Sequence, residues 1–207
     1  MRRTLRDEFW NLPNILTLAR IAAIPFVMLL IWRGAPKDCV LAAWAYSLAA
    51  ATDYVDGWLA RRWNQVTLMG RLLDPLADKL MVMGMLIMLV TLMRVPGWLV
   101  VVILAREMTI NGLRSVASIE GLEVPSDRLG KKKTALQMIG VMCLLVHYPY
   151  PVHFLSFHIE VVDFNRVGLI VLSGSVILSI MSAINYFRHF FIALEKQRND
   201  AQEHLTN

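Results

Sequence analysis

Four aspartates, Asp53, Asp56, Asp74 and Asp78, fall within 26 residues of one another. Asp53 and Asp56 are three apart and Asp74 and Asp78 four apart, so on helices each pair shares one face. Converging carboxylates repel one another and need positive charge between them. The stretch contains no His or Cys, and oxygen-only ligation favours a hard cation, Mg²⁺ first and Mn²⁺ second. Two divalent cations among four carboxylates is the arrangement expected for a displacement at phosphorus. Gly57 and Gly70 flank the pairs and leave room for a ligand to approach the backbone. Taken alone, Gly70 reads equally well as a helix stop, and Asp74 as the cap of a helix whose first residue is Pro75.

A second group is basic. Arg106 and Arg114 are eight apart, slightly over two turns, and so roughly on one helix face. Lys131 and Lys133 follow after a loop. Such residues beside a metal site suggest a second substrate that also carries phosphate. A buried ion pair of Arg106 with Glu107 or with the aspartates is an equally good reading and compatible with the first. Lys131 and Lys133 are also the residues that topology alone demands in an inside loop.

The elements that carry these residues are expected to be membrane helices. Of 207 residues 57% are hydrophobic and 18% charged, more apolar and less charged than soluble domains. That excludes a disordered chain, a nucleic-acid-binding tail and an ordinary cytosolic enzyme. Six stretches approach the roughly 20 apolar residues of a membrane crossing: residues 14–32, 39–60, 72–93, 97–116, 134–154 and 167–187. With the amino terminus placed in the cytoplasm, inside segments hold thirteen Lys or Arg. Outside loops hold only Arg33, Lys37, Arg94 and Arg166. The expectation is therefore an all-α polytopic protein of six spans and one domain over 1–207, both termini cytoplasmic. A short interfacial segment, Met1–Asn11, precedes the first span, which is expected to be retained rather than cleaved. The net charge of +5 then reflects cytoplasmic loops beside anionic lipid, with no nucleic-acid partner. Cys39 and Cys143 are expected as free, packed thiols.

On that topology Arg20, Asp53, Asp56, Asp74, Asp78, Arg106, Glu107 and Arg114 all lie toward the cytoplasmic face. Charges merely tolerated by snorkelling would occupy both ends of spans, so the one-sided cluster points to function. Asn14, Thr17 and Arg20 share a face of the first span at the same depth and are weaker candidates for closing the site.

The stretch DYVDGWLARRWNQVTLMGRLLDPLAD fills the pattern D-x-x-D-G-x-x-A-R, eight residues, G-x-x-x-D-x-x-x-D with Asp53, Asp56, Gly57, Ala60, Arg61, Gly70, Asp74 and Asp78. It resembles the signature of the CDP-alcohol phosphatidyltransferases, integral membrane enzymes of six spans. NLPNILTLARIAAIPF, AREMTINGLR and GKKKTALQ are similar to those bacterial members whose acceptor is glycerol 3-phosphate. The resemblance implies that CDP-diacylglycerol and sn-glycerol 3-phosphate give phosphatidylglycerophosphate and CMP at the bacterial cytoplasmic membrane, with the site facing the cytoplasm. It implies two divalent cations held by Asp53, Asp56, Asp74 and Asp78, with Asp78 also the base on the attacking hydroxyl. It places the nucleotide along Asp56, Gly57, Ala60, Arg61 and Gly70, and the acceptor phosphate on Arg106, Arg114, Lys131 and Lys133. A homodimer would be similar to the family.

Two alternatives stand beside this. One is the same chemistry with inositol phosphate, serine or phosphatidylglycerol as acceptor; the basic residues disfavour a neutral acceptor, and only the flanking motifs separate glycerol 3-phosphate from inositol phosphate. A cation-coupled transporter would spread acidic groups through the membrane depth, whereas here the outer halves of the spans carry none.

Overall fold

A computed structural model describes residues 12–62, 68–122, 128–154 and 157–206. Six helices carry the fold: α1 Leu12–Arg33, α2 Pro36–Arg62, α3 Leu68–Thr91, α4 Gly97–Ile119, α5 Arg128–Val146 and α6 Phe164–Thr206. A hairpin of β1 Pro149–Phe154 and β2 Phe157–Asp163 separates α5 from α6. The expected interfacial segment Met1–Asn11 lies outside the described residues. Among the described residues two helices are long and apolar enough to cross a membrane, α1 over Ile15–Arg33 and α6 over Phe164–Asn199.

The chain divides into two compact units, Met1–Val95 with Val141–Gly168, and Pro96–Gly140 with Leu169–Asn207. In the first, α1 packs on α2 and α3. The buried face of α2 is Cys39, Ala42, Ala43, Tyr46 and Ala49, a helical repeat of mostly small side chains that lets neighbours approach closely. Its opposite face, Leu41, Trp44 and Leu48, is just as apolar yet half or more exposed. Apolar residues on both faces mean that an apolar surrounding is needed outside as well as inside.

Helix ends in this unit are built locally. α3 closes with Met93 in the left-handed region (φ 58), where Arg94 N–H bonds Leu89 O and Met93 N–H bonds Val90 O. This is a Schellman turn on a non-glycine residue. It aims Arg94, expected in an outer loop, inward. Arg94 is buried and donates from Nη1 to Leu145 O (3.1 Å) and Leu144 O (3.3 Å), the last carbonyls of α5, and from Nη2 to Cys39 Sγ (3.3 Å). Both cysteines are free and buried, as expected.

The fifth span, expected over 134–154, is shorter as a helix. α5 stops at Val146, His147 takes φ 63, and Pro149 and Pro151 lack the N–H that a helix requires, so the chain turns into the hairpin. The register pairs Pro149 with Asp163 and Phe154 with Phe157, with an irregularity between Tyr150 and Val152. Tyr148 Oη donates to Gly34 O (2.6 Å) and Tyr150 Oη to Pro36 O (3.2 Å), which tie β1 to the α1–α2 turn. Asp163 caps α6, its Oδ1 accepting from the N–H groups of Asn165 and Arg166 (3.1 Å each).

In the second unit α4 ends in a Schellman turn at Gly121 (φ 65), with Leu122 N–H bonded to Ala117 O. The next helix begins at Arg128, and residues 123–127 lie outside those described. Gly140 of α5 meets the backbone of Leu172 on α6 so closely that a Cβ there would lie 3.0 Å from Leu172 N. α6, expected over 167–187, runs 43 residues to Thr206.

Candidate active site

The acidic residues sit at matching ends of consecutive helices. Asp53, Asp56, Gly57, Ala60 and Arg61 occupy the last ten residues of α2, and Gly70, Asp74 and Asp78 the first eleven of α3. The connection is only five residues, 63–67, which lie outside those described. Asp56 and Asp74 are each six residues from this connection, about 9 Å of helix. Asp53 and Asp78 are nine and ten residues away, about 14–15 Å. The two pairs therefore stand at matched depths on neighbouring helix ends. Gly70, Asp74 and Asp78 repeat every four residues and line one face of α3.

The backbone corrects one expectation. α3 begins at Leu68, so Asp74 is no N-cap and Pro75 is no first helical residue; both lie inside the helix. The apolar-periodic run extends the helix upstream, at the cost of the one bond that Pro75 has no N–H to make. Gly70 likewise lies within α3 and does not stop a helix. The side chains of Asp53, Asp56, Gly57, Ala60, Arg61, Gly70, Asp74 and Asp78 lie outside those described. Among the described residues no group of three His, Cys, Asp or Glu gathers. An all-carboxylate set at matched depth suits hard divalent cations.

On α1, Thr17 and Arg20 are both buried, at 0% and 3% exposure, one turn apart on one face. Asn14's side chain lies outside those described.

The basic residues belong to the second unit, and here side-chain geometry is explicit. Arg106 on α4 donates from Nε to the backbone carbonyl of Ser179 on α6 (3.1 Å) and from Nη1 to Glu107 Oε2 (3.1 Å). Lys133, at the start of α5, donates from Nζ to the same Glu107 oxygen. The Lys133 and Arg106 side chains are only 5% and 12% exposed, so these are buried cations sharing one acceptor. Arg114, two turns along α4, is exposed and sets its guanidinium over the Tyr186 ring, 5.9 Å from the centroid. Arg106 and Arg114 both lie close enough to Lys133 to repel it. Three of the four expected basic residues thus form one cluster; the side chain of Lys131, two residues before Lys133, lies outside those described. Sequence reasoning left the partner of Arg106 open between Glu107 and the aspartates, and missed Lys133 as the third member and Tyr186 beneath Arg114. Neither contact follows from spacing along one helix.

Four aspartates on consecutive helix ends of the first unit and a basic cluster in the second are the residue types that a membrane enzyme handling phosphorylated groups requires. Comparison with known proteins makes this specific. The profile described as CDP-alcohol phosphatidyltransferase matches residues 10–192. The chain belongs to the CDP-alcohol phosphatidyltransferase family. It is 38% identical over 198 residues to the CDP-diacylglycerol–glycerol-3-phosphate 3-phosphatidyltransferase of Bacillus subtilis, covering 90% of this chain and 98% of that one. The Rickettsia bellii protein of the same name is 38% identical over 178 residues, covering 86% and 94%. A CMP-forming cardiolipin synthase of Streptomyces coelicolor is 38% identical over 148 residues, covering 70% and 69%.

Proposed function

We propose that this protein transfers the phosphatidyl group of CDP-diacylglycerol to sn-glycerol 3-phosphate, giving phosphatidylglycerophosphate and CMP, in the formation of anionic phospholipid. The observation that carries the reading is similarity along nearly the whole chain to relatives named for this reaction. The cardiolipin synthase matches at equal identity over a shorter stretch, which makes phosphatidylglycerol the second acceptor to test.

The acceptor's free hydroxyl oxygen forms a bond to the phosphatidyl phosphorus. The bond from that phosphorus to the CMP oxygen breaks, and the hydroxyl proton passes to Asp78. Asp53, Asp56, Asp74 and Asp78 would hold two divalent cations, Mg²⁺ by their oxygen-only chemistry. When bound, such cations neutralise the diphosphate and the developing charge on the leaving group. Asp56, Gly57, Ala60, Arg61 and Gly70 bind the cytidine diphosphate, with the glycines leaving the backbone open to it. Arg106, Arg114, Lys131 and Lys133 bind the acceptor phosphate, a dianion suited to forked guanidinium donors and point-charge ammonium groups. Thr17 and Arg20, with Asn14, help close the site.

The chain acts as one membrane domain of six spans with both termini inside, anchored by the interfacial segment Met1–Asn11, in the bacterial cytoplasmic membrane. The positive-inside distribution of Lys and Arg supports this topology. A cytoplasmic site suits a reaction between one lipid and one soluble substrate. A homodimer is proposed from the resemblance to the family.

The test uses purified protein in detergent with CDP-diacylglycerol and Mg²⁺, following CMP release with glycerol 3-phosphate, serine, inositol phosphate or phosphatidylglycerol. Release with glycerol 3-phosphate alone, abolished by EDTA, supports the reading. Release with another acceptor keeps the metal site and overturns the acceptor.

A further inference from the structure

We propose that Glu107 is a positioning residue for the acceptor phosphate, its single oxygen Oε2 holding Arg106 and Lys133 side by side. The proposal rests on the reading that these two cations bind that phosphate.

Arg106 and Lys133 come from different helices, α4 and α5, and are largely withdrawn from solvent. Left to themselves, two buried cations move apart or refold outward, because their mutual repulsion is weakly screened. Glu107 Oε2 accepts from both, which fixes the separation between them. The bond from Arg106 Nε to Ser179 O fixes the plane of the guanidinium as well. Neither tie consumes the whole donor set. A guanidinium has five N–H groups and an ammonium three, so three remain on Arg106 and two on Lys133 beyond the bonds described here. Those are the donors a phosphate with three free oxygens takes. One negative charge against two positive leaves the pair net cationic. Glu107 therefore orders the anion site without neutralising it.

A carboxylate that merely offset excess charge would behave in the opposite way. Its removal would raise the local positive potential and tighten phosphate binding. Two variants separate the cases. Glu107→Asp keeps the charge but is one methylene too short to reach both cations. Glu107→Gln keeps the shape and loses the charge that draws the cations together.

The experiment is steady-state CMP release by the full-length protein in detergent. Glycerol 3-phosphate is varied at saturating CDP-diacylglycerol, and then the reverse. Positioning predicts that both variants raise KM for glycerol 3-phosphate about tenfold or more, with kcat within about threefold and KM for CDP-diacylglycerol unchanged. An unchanged KM in Glu107→Asp together with a lower KM in Glu107→Gln overturns the proposal in favour of charge balance. Failure of both variants to accumulate as folded protein overturns it in favour of a purely structural ion pair; if only Glu107→Asp is lost, Glu107→Gln decides. Lys133→Met serves as the control on the underlying reading. If it leaves KM for glycerol 3-phosphate unchanged, the acceptor site has been misassigned, whatever Glu107 does.

Discussion

Arg94 offers the sharpest test of how the first unit is held together. Replacing it by leucine removes two charge-assisted hydrogen bonds to the terminal carbonyls of α5, at 3.1 and 3.3 Å, and a weaker one to Cys39 Sγ. The two carbonyl bonds are each worth about 1.5 kcal/mol net, and the cation at a helix C-terminus adds about 0.5–1 kcal/mol. Against this, an apolar side chain relieves part of the cost of burying a cation, about 1 kcal/mol here. The net loss is about 2–3 kcal/mol, or roughly 5–10 °C in the unfolding midpoint of a chain this size. Thermal unfolding of the detergent-solubilised protein measures it directly. Arg94→Lys keeps the charge but reaches one carbonyl at a time, and should recover about half of the loss. About 20 Å of helix separates Asp78 from the end of α3, so CMP release per folded molecule should stay within about twofold. A midpoint within about 2 °C of wild type would refute the clamp. Lost activity at unchanged stability would place Arg94 in the chemistry instead.

Other outcomes follow from the same geometry. Gly140→Ala should lower the unfolding midpoint by an amount equivalent to about 1–3 kcal/mol, because its Cβ would press on the backbone of Leu172. Met93→Gly should raise stability by about 0.5–1 kcal/mol, since the left-handed turn strains a side chain that is 92% exposed and packs on little. Asp78→Asn should reduce CMP release at least a hundredfold with folding intact, as expected for loss of a base and a metal-binding carboxylate; activity within tenfold of wild type would remove Asp78 from both roles.

That the four aspartates fall on consecutive helix ends was legible because that information is local. Asp53 to Asp78 lie on two helix ends joined by five residues, so spacing alone brings them to one depth. The bounds of α1 followed from its apolar run, expected over 14–32 and found over Leu12–Arg33, whereas α4, its apolar run interrupted by Arg106 and Glu107, was legible only through the Lys and Arg count of the loops. The hairpin was not, because the fifth span was read onward through Pro149–Phe154 to reach the length of a crossing, whereas the prolines and the turn at His147 end the hydrogen-bond ladder at Val146. α6 outruns its apolar stretch for the converse reason. Beyond Phe187 the residues turn polar, but Ala, Leu, Glu, Lys, Gln and Arg are strong helix formers. Arg94 read as a loop charge and proved to be a buried clamp. The link from Glu107 to Lys133 spans 26 residues between two helices. Both depend on tertiary packing, which spacing along a single element does not report.

The most direct test of phosphatidyl transfer to glycerol 3-phosphate is to follow the acceptor itself. Purified protein with CDP-diacylglycerol, Mg²⁺ and radiolabelled glycerol 3-phosphate should move label into the organic phase as phosphatidylglycerophosphate, one mole for each mole of CMP released. CMP release with the label left in water would contradict transfer to this acceptor.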